Sequence, residues 1–335
     1  MKVHLKPLKN QVIVITGASS GIGLATARSA AAQGAKVVLA SRNGSVLAEV
    51  EQQIKAAGGQ AIHVVADVGH RNDVQRIAAA ALEHFGGFDT WVNNAGLGIV
   101  GRIEDGTEED FRRLFDTNFW GVVNGSLVAL PHLKERGGAL INLGSVASDV
   151  SLPYQGMYST TKHAIKGFTD ALRIELAEEK APVSVTLIKP ASINTPFPHH
   201  ARNYTDKEPR LPPPVYAPQE VAAGILHAAV HGGRDIYIGG AGKLMSAQNK
   251  WAPALMDQVS KALIPKTFRD EPPRQPAGAL HQAGIDGEVD SDHPGPVLRT
   301  SLYTRASFHP LGAALLMGVV GAVAATVLKS HGAEK

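Results

Sequence analysis

Short apolar runs alternate with amphipathic stretches from residue 11 to about 262. Gln11–Thr16 (QVIVIT), Lys36–Ala40 (KVVLA), Ala61–Ala66, Phe88–Val92, Ala139–Leu143, Val183–Ile188 and Asp235–Ile238 predict strands. Several are apolar throughout, not at every second position, as strands buried on both faces of a parallel sheet are. Between them, Gly21–Gln33, Val46–Ala57 and Asn72–Phe85 predict helices, the first ending at Gly34 and the second at Gly58-Gly59. Longer helices fill the later gaps. This alternation implies an α/β fold with a doubly wound parallel sheet and a ligand crevice at the carboxyl ends of its strands.

Two segments break the pattern. Residues 191–218 hold seven prolines and read as a long loop. Residues 263–310, rich in Pro, Gly, Asp and Arg, read as a flexible linker after a single folded domain at 1–262. Leu311–Leu328 is then eighteen residues without a charge, followed by a polar tail at 329–335. As a helix it would be about 27 Å long, at the short end of a membrane span. Ala314, Gly318 and Ala322 have the four-residue spacing of packed membrane helices. A membrane anchor is the expectation, with a buried or dimerising helix, or an appendage disordered in solution, as the alternatives. Arg305 and Lys329 flank both sides and leave its orientation open.

Composition narrows the chemistry. Of 335 residues, 44% are hydrophobic and 19% charged, which suits a sizeable core. A net charge of +3, with no basic run, argues against a nucleic-acid partner. There is no cysteine, which excludes thiolate catalysis, disulfides and cysteine-ligated zinc. No other ligand cluster suggests a metal, and His199-His200 reads as a solvated pair. The N-terminus lacks an apolar run followed by a cleavage site, so a cytoplasmic protein, or one anchored on the cytoplasmic face, is expected.

Residues 16–23 read TGASSGIG, placed after a strand and at the start of a helix. Glycine lets backbone turn tightly and approach a pyrophosphate, and the helix N-terminus offers free amides to that anion. Gly17, Gly21 and Gly23 follow the spacing of short-chain dehydrogenases/reductases, and TGASSGIG resembles that family's signature. Asp67-Val68 resembles its adenine-ring contact, and Asn93-Asn94-Ala95-Gly96 its NNAG motif. Read alone, Asp67 is equally a helix N-cap and NNAG a turn. The resemblance implies a Rossmann-like fold with one catalytic domain and a C-terminal extension, and a homo-oligomer is expected. Gly17, Ser19, Ser20, Gly21, Ile22, Gly23, Asp67, Val68, Asn94, Ala95 and Gly96 are then cofactor-binding residues. At the end of the second strand, Ala40-Ser41-Arg42 lacks the carboxylate that accepts from the ribose hydroxyl of NAD. Ser41 and Arg42 suit a 2′-phosphate instead, so NADP(H) is expected over NAD(H).

Tyr158 and Lys162 lie four apart on a predicted helix and share a face, thirteen residues after Ser145. A phenol with a pKa of about 10 needs a nearby cation to work as an acid/base at neutral pH. By resemblance, Ser145 bonds the substrate oxygen, Tyr158 is the general acid/base, and Lys162 lowers the tyrosine pKa and holds the nicotinamide ribose. Asn118 anchors a water in the proton relay. Pro190–Thr195 (PASINT) matches a loop in which Pro190, Ile193 and Thr195 approach the nicotinamide, with Ala191 where the family usually has glycine.

These motifs imply an oxidoreductase moving a hydride between nicotinamide and a carbonyl or alcohol carbon. The loop at 191–218, with Phe197, His199, His200, Tyr204, Leu211 and Tyr216, suggests a lipophilic small-molecule substrate. Two other readings stay open: a non-catalytic NADP(H) sensor or scaffold, and an epimerase or dehydratase on the same scaffold.

Overall fold

The computed structural model describes residues 3–284 and 286–308. Its centre is one sheet of seven parallel strands: β1 (Val12–Thr16), β2 (Lys36–Ser41), β3 (Gln60–Val65), β4 (Thr90–Asn93), β5 (Gly138–Leu143), β6 (Val183–Pro190) and β7 (Asp235–Ile238). The spatial order is β7-β6-β5-β4-β1-β2-β3. β1 pairs with β2 on one side (Thr16 beside Ala40) and β4 on the other (Ile15 beside Val92). The chain therefore winds outward in both directions from β1, and the crevice opens where the direction reverses.

Alternate residues of each strand face opposite helical layers. Ile13, Ile15, Val37 and Leu39 pack with α1 (Gly21–Ala32), α2 (Gly44–Ala56) and α7 (Pro218–His231). Val12, Val14, Val38 and Ala40 face α3 (Arg71–Phe85), α5 (Gly121–Arg136) and α6 (Gly156–Glu178). Both layers are mainly apolar, which explains the unbroken hydrophobic runs in the sequence. The short α4 (Glu108–Phe115) continues into a π-helical turn, Asp116–Trp120, before α5. The strand and helix expectations hold to within two residues or so. Elements end one or two residues from their sequence boundaries because capping groups, not hydrophobicity, set the ends.

The two segments outside the pattern both lie on the domain. Residues 191–218 form short pairings: Ser192–Ile193 runs beside Val215–Tyr216, and a single helical turn covers Phe197–His200. After α8 (Gly240–Trp251) and α9 (Pro253–Leu263), the stretch expected as a flexible linker is fastened down. Val297–Leu298 pairs with Val215–Tyr216, and α10 (Leu302–Phe308) follows. Arg305 reaches the fully buried Glu220 at 2.7 Å. The backbone carbonyls and carboxylates that hold this stretch leave no periodic signal in a sequence. Among the described residues, no helix is long and apolar enough to cross a membrane. Leu311–Leu328 lies outside the described residues.

Candidate active site

The glycine loop after β1 is folded as a close backbone approach requires. Gly17 adopts φ +66°, and a Cβ there would come within 2.8 Å of the Ala95 Cα. A Cβ on Gly23 would lie 2.0 Å from the Gly17 carbonyl oxygen, so only glycine fits. Ser20, the N-cap of α1, makes no side-chain cap bond, and the first turn holds no acidic residue. The positive end of that helix dipole lines the cleft, with the Gly21 amide donating to the Glu288 carbonyl at 2.9 Å. Asn94 braces the loop: its amide donates to the carbonyls of Thr16 (2.8 Å) and Gly17 (3.2 Å). Asn93 points the other way, into a buried bond with Asn142 at 2.9 Å.

One cavity of about 430 Å³ runs from this loop to the chemical residues. It is lined by Gly17, Ser19, Ser20, Gly21 and Ile22; by Ser41, Arg42, Asp67 and Val68; and by Asn94, Ala95 and Gly96. Ser145, Tyr158, Lys162, Pro190, Ile193 and Thr195 line its other half. Gly23 and Asn118 sit directly behind this lining. A cradle that a Cβ would fill, a helix N-terminus with no acidic residue in its first turn and an elongated cleft fit a dinucleotide. Ala191 causes no strain, since the only described non-glycine residues with positive φ are Tyr154 and Lys180.

Two expected cofactor contacts carry additional partners. Asp67 accepts from Arg113 at 2.5 Å and from the Gly69 amide at 3.0 Å. Burial pushes its pKa up, but those bonds outweigh burial and hold it below the usual value. Arg42 donates to the carbonyls of Leu280 and Gln282, each at 3.1 Å, and to that of Ala279. Burial, then the like charge of Arg113, lowers its pKa.

In the chemical half, Ser145 follows β5 as the N-cap of a short 3-10 turn, and its Oγ accepts from the Ala147 amide at 3.0 Å. Tyr158 and Lys162 stand one turn apart on α6, both buried. Lys162 Nζ lies 5.7 Å from the centre of the Tyr158 ring and donates to the Leu143 carbonyl at 2.8 Å. Without cofactor, burial dominates both groups. It pushes the Tyr158 phenol up to about 12, against a lowering hydrogen bond from Ser145. It also lowers the Lys162 ammonium to about 8. Desolvation of the buried phenol outweighs its hydrogen bond with Ser145, and the neighbouring ammonium is itself desolvated.

Asn118 lies in the π-helical turn. Its Oδ1 accepts from the Leu97 amide at 2.8 Å, while its Nδ2 donates to the Leu97 carbonyl (2.9 Å) and to Thr161 (3.1 Å). A Cβ on Gly96 would sit 3.5 Å from Asn118 Oδ1 and 3.7 Å from Lys162 Nζ, which places all three at one spot.

Beyond Tyr158 the cavity becomes apolar. Phe197 lies 5.3 Å from the Tyr158 ring, centre to centre. Leu211, Met245 and Ile264 add to the wall, with the Tyr154–Phe268 pair at 5.1 Å. Tyr154 carries the site's one strained backbone, at φ 61°, and no sequence motif marked it. Of the loop residues expected to face substrate, Phe197, His200 and Leu211 do so. Tyr204 instead donates to Asp110, and Tyr216 is buried beneath Gly239. The histidine pair is not solvated: His199 lies 3.2 Å from both Glu208 and Asp292, and His200 is 3.6 Å from Asp286.

Sequence reasoning also missed the buried Lys189 at the end of β6, which is 1% exposed. Its Nζ donates to Asp149 at 3.1 Å, Asp235 at 3.0 Å and Tyr237 at 3.3 Å. Asp149 ends the turn that Ser145 begins, so this cluster ties the serine to β6 and β7.

The family described as short chain dehydrogenase matches residues 11–205, and the chain belongs to the short-chain dehydrogenase/reductase family. Its class is therefore oxidoreductase, acting on CH–OH or C=O groups with a nicotinamide cofactor. An uncharacterized oxidoreductase, YxnA of Bacillus subtilis, is 46% identical over 330 residues, 97% of this chain and 93% of the relative. A solved short chain dehydrogenase/reductase from Burkholderia phymatum, in complex with NAD, superposes with a TM-score of 0.68 at 27% identity. That match covers 75% of this chain and 96% of the other. An alcohol dehydrogenase from the archaeon Thermococcus sibiricus, complexed with 5-hydroxy-NADP, gives 0.61 at 27% identity, covering 68% and 95%.

Proposed function

We propose that this protein is an NADP(H)-dependent carbonyl reductase, or the reverse alcohol dehydrogenase, with Tyr158 as its general acid/base. The observation that carries this reading is the convergence of Ser145, Tyr158 and Lys162 on one end of the dinucleotide-shaped cleft. The bound nicotinamide supplies or accepts the hydride. Ser145 and Tyr158 hydrogen-bond the substrate oxygen, and the phenol, kept protonated by its burial, gives that oxygen a proton as it becomes an alkoxide. Lys162, held by the Leu143 carbonyl, stands behind the phenol and resupplies the proton through a water anchored at Asn118, which Leu97 and Thr161 fix in place. The apolar wall beyond Tyr158 supports a lipophilic small-molecule substrate. Preference for NADP(H) rests on Ser41 and Arg42 lining the cleft with no carboxylate at the end of β2. Homo-oligomerisation and membrane association on the cytoplasmic face through residues 311–328 complete the proposal.

The test is a panel of ketones, aldehydes and hydroxysteroids assayed for NADPH oxidation or NADP+ reduction. Turnover of at least one lipophilic carbonyl or alcohol is expected. Tight NADPH binding with no turnover across the panel would favour the sensor reading.

A further inference from the structure

Residues 276–284 and 286–292 lie far beyond the span matched by the family, yet they are bonded to the dinucleotide cleft along its length. At the adenosine end, the carbonyls of Ala279, Leu280 and Gln282 accept from Arg42, and that of Leu280 also accepts from Arg113 at 3.1 Å. Asn43 donates to the Gly284 carbonyl at 3.3 Å. Over the glycine loop, the Ser19 hydroxyl donates to Asp286 at 2.9 Å. The Gly287 amide donates to the Ser19 carbonyl, and the Gly21 amide to the Glu288 carbonyl, each at 2.9 Å. On the opposite bank, after β6, Asn194 donates to Asp290 at 3.2 Å and accepts from Ser291 at 2.6 Å. The segment thus crosses from one bank of the cleft to the other.

Its seat is hydrophobic. Ala279 and Leu280 are buried, 3% and 0% exposed, in a cluster with Leu97, Ile99 and Leu114. Ala279, Ala283, Gly284 and Asp286 line the same cavity as the glycine loop and Tyr158. A segment with few large side chains has little reason to order itself, so bonds to the cleft and one leucine anchor must offset its entropy.

We propose that this strap is a wall of the cofactor site, closing over the phosphate and adenosine half of a bound nicotinamide dinucleotide. The inference rests on the cofactor reading above and extends it. Cofactor enters and leaves only when the strap lifts. Both rates are therefore set by the strap's anchorage as well as by the contacts of the cleft.

The experiment uses the full chain. NADPH association and its displacement by excess NADP+ are followed by stopped-flow fluorescence for the native protein, Leu280→Ala and Leu280→Met. The Leu280→Ala change empties the apolar seat and is expected to speed both association and release, each by about tenfold. Leu280→Met refills the seat and is expected to restore native rates. Because Leu280→Ala also empties a fully buried position of the fold, hydrogen exchange of the native protein supplies an independent readout. The amides of Ala279 and Gly287 are expected to become more protected when NADPH binds. Faster release with unchanged association, or no change in either rate, overturns the proposal. So does unchanged protection of those amides at saturating NADPH. Absence of any NADPH binding overturns the strap together with the cofactor reading, whereas binding with unaltered exchange overturns the strap alone.

Discussion

Lys162 and Tyr158 stand one helical turn apart, with the ammonium 5.7 Å from the phenol ring and its proton directed at the Leu143 carbonyl. Both are buried where neither can be charged cheaply. That arrangement suits a site completed by a ligand, since the hydroxyls and charge of a bound dinucleotide replace part of the lost solvation.

Burying the ammonium has a cost in stability. The Lys162 ammonium titrates at about 8 in the folded protein, against 10.5 ordinarily. At neutral pH both folded and unfolded chains carry the proton, so folding bears the full burial penalty. As pH rises from 8 to above 10.5 that penalty disappears. Lys162→Met should therefore be inactive but more stable at pH 7 by up to about 3 kcal/mol, at 1.36 kcal/mol per pH unit. The advantage should vanish above pH 10.5. Urea denaturation of the cofactor-free proteins at pH 7 and pH 10.5 checks this. A Lys162→Met variant less stable than native at pH 7 would contradict it.

The Lys189 cluster should behave oppositely. Its ammonium is paired with Asp149 and Asp235, so removing it deprives two partly buried carboxylates of the cation they share. Lys189→Met should destabilise the fold by about 3 kcal/mol. Burial raises the Asp149 pKa, but Tyr237 and Lys189 more than offset this and hold it below 3.8. The stability this carboxylate contributes is present above pH 3.8 and is lost as pH falls through the depressed value. Loss of Lys189 should shift acid unfolding to higher pH. Acid titration followed by circular dichroism measures the midpoint, and an unchanged midpoint would count against the cluster.

Arg42 separates two roles. If it binds a 2′-phosphate, Arg42→Ala should weaken NADPH by roughly tenfold to a hundredfold while leaving NADH within about threefold. If its bonds to the Ala279, Leu280 and Gln282 carbonyls are its sole task, both cofactors should weaken equally. Fluorescence titration of NADPH and NADH on both proteins measures the ratio. An unchanged ratio would contradict the assigned preference.

Much of this architecture is legible in the chain because it is written in periodicity and in glycine. The runs QVIVIT and KVVLA are strands since both their faces are buried, and Gly17 and Gly23 mark backbone approaches that no other residue tolerates. The vicinity of Tyr158 and Lys162 follows from helical spacing alone. What sequence left silent has a common physical cause. The strap is held largely by backbone carbonyls, which every residue carries, so nothing in 276–292 announces its seat. Lys189 reads as an ordinary strand-end lysine until β7 brings Asp235 beside it. The π-helical turn that carries Asn118 differs from α-helix by one residue in its hydrogen bonding, a difference no apolar pattern records.

The proposed catalysis depends on the phenol of Tyr158 moving the proton. Single-turnover hydride transfer, measured as NADPH absorbance loss on mixing cofactor-loaded protein with a carbonyl substrate from the panel, tests this directly in native protein and Tyr158→Phe. The predicted result is a rate at least about a hundredfold lower in the variant, with NADPH affinity unchanged. Hydride transfer at the native rate in Tyr158→Phe would contradict it.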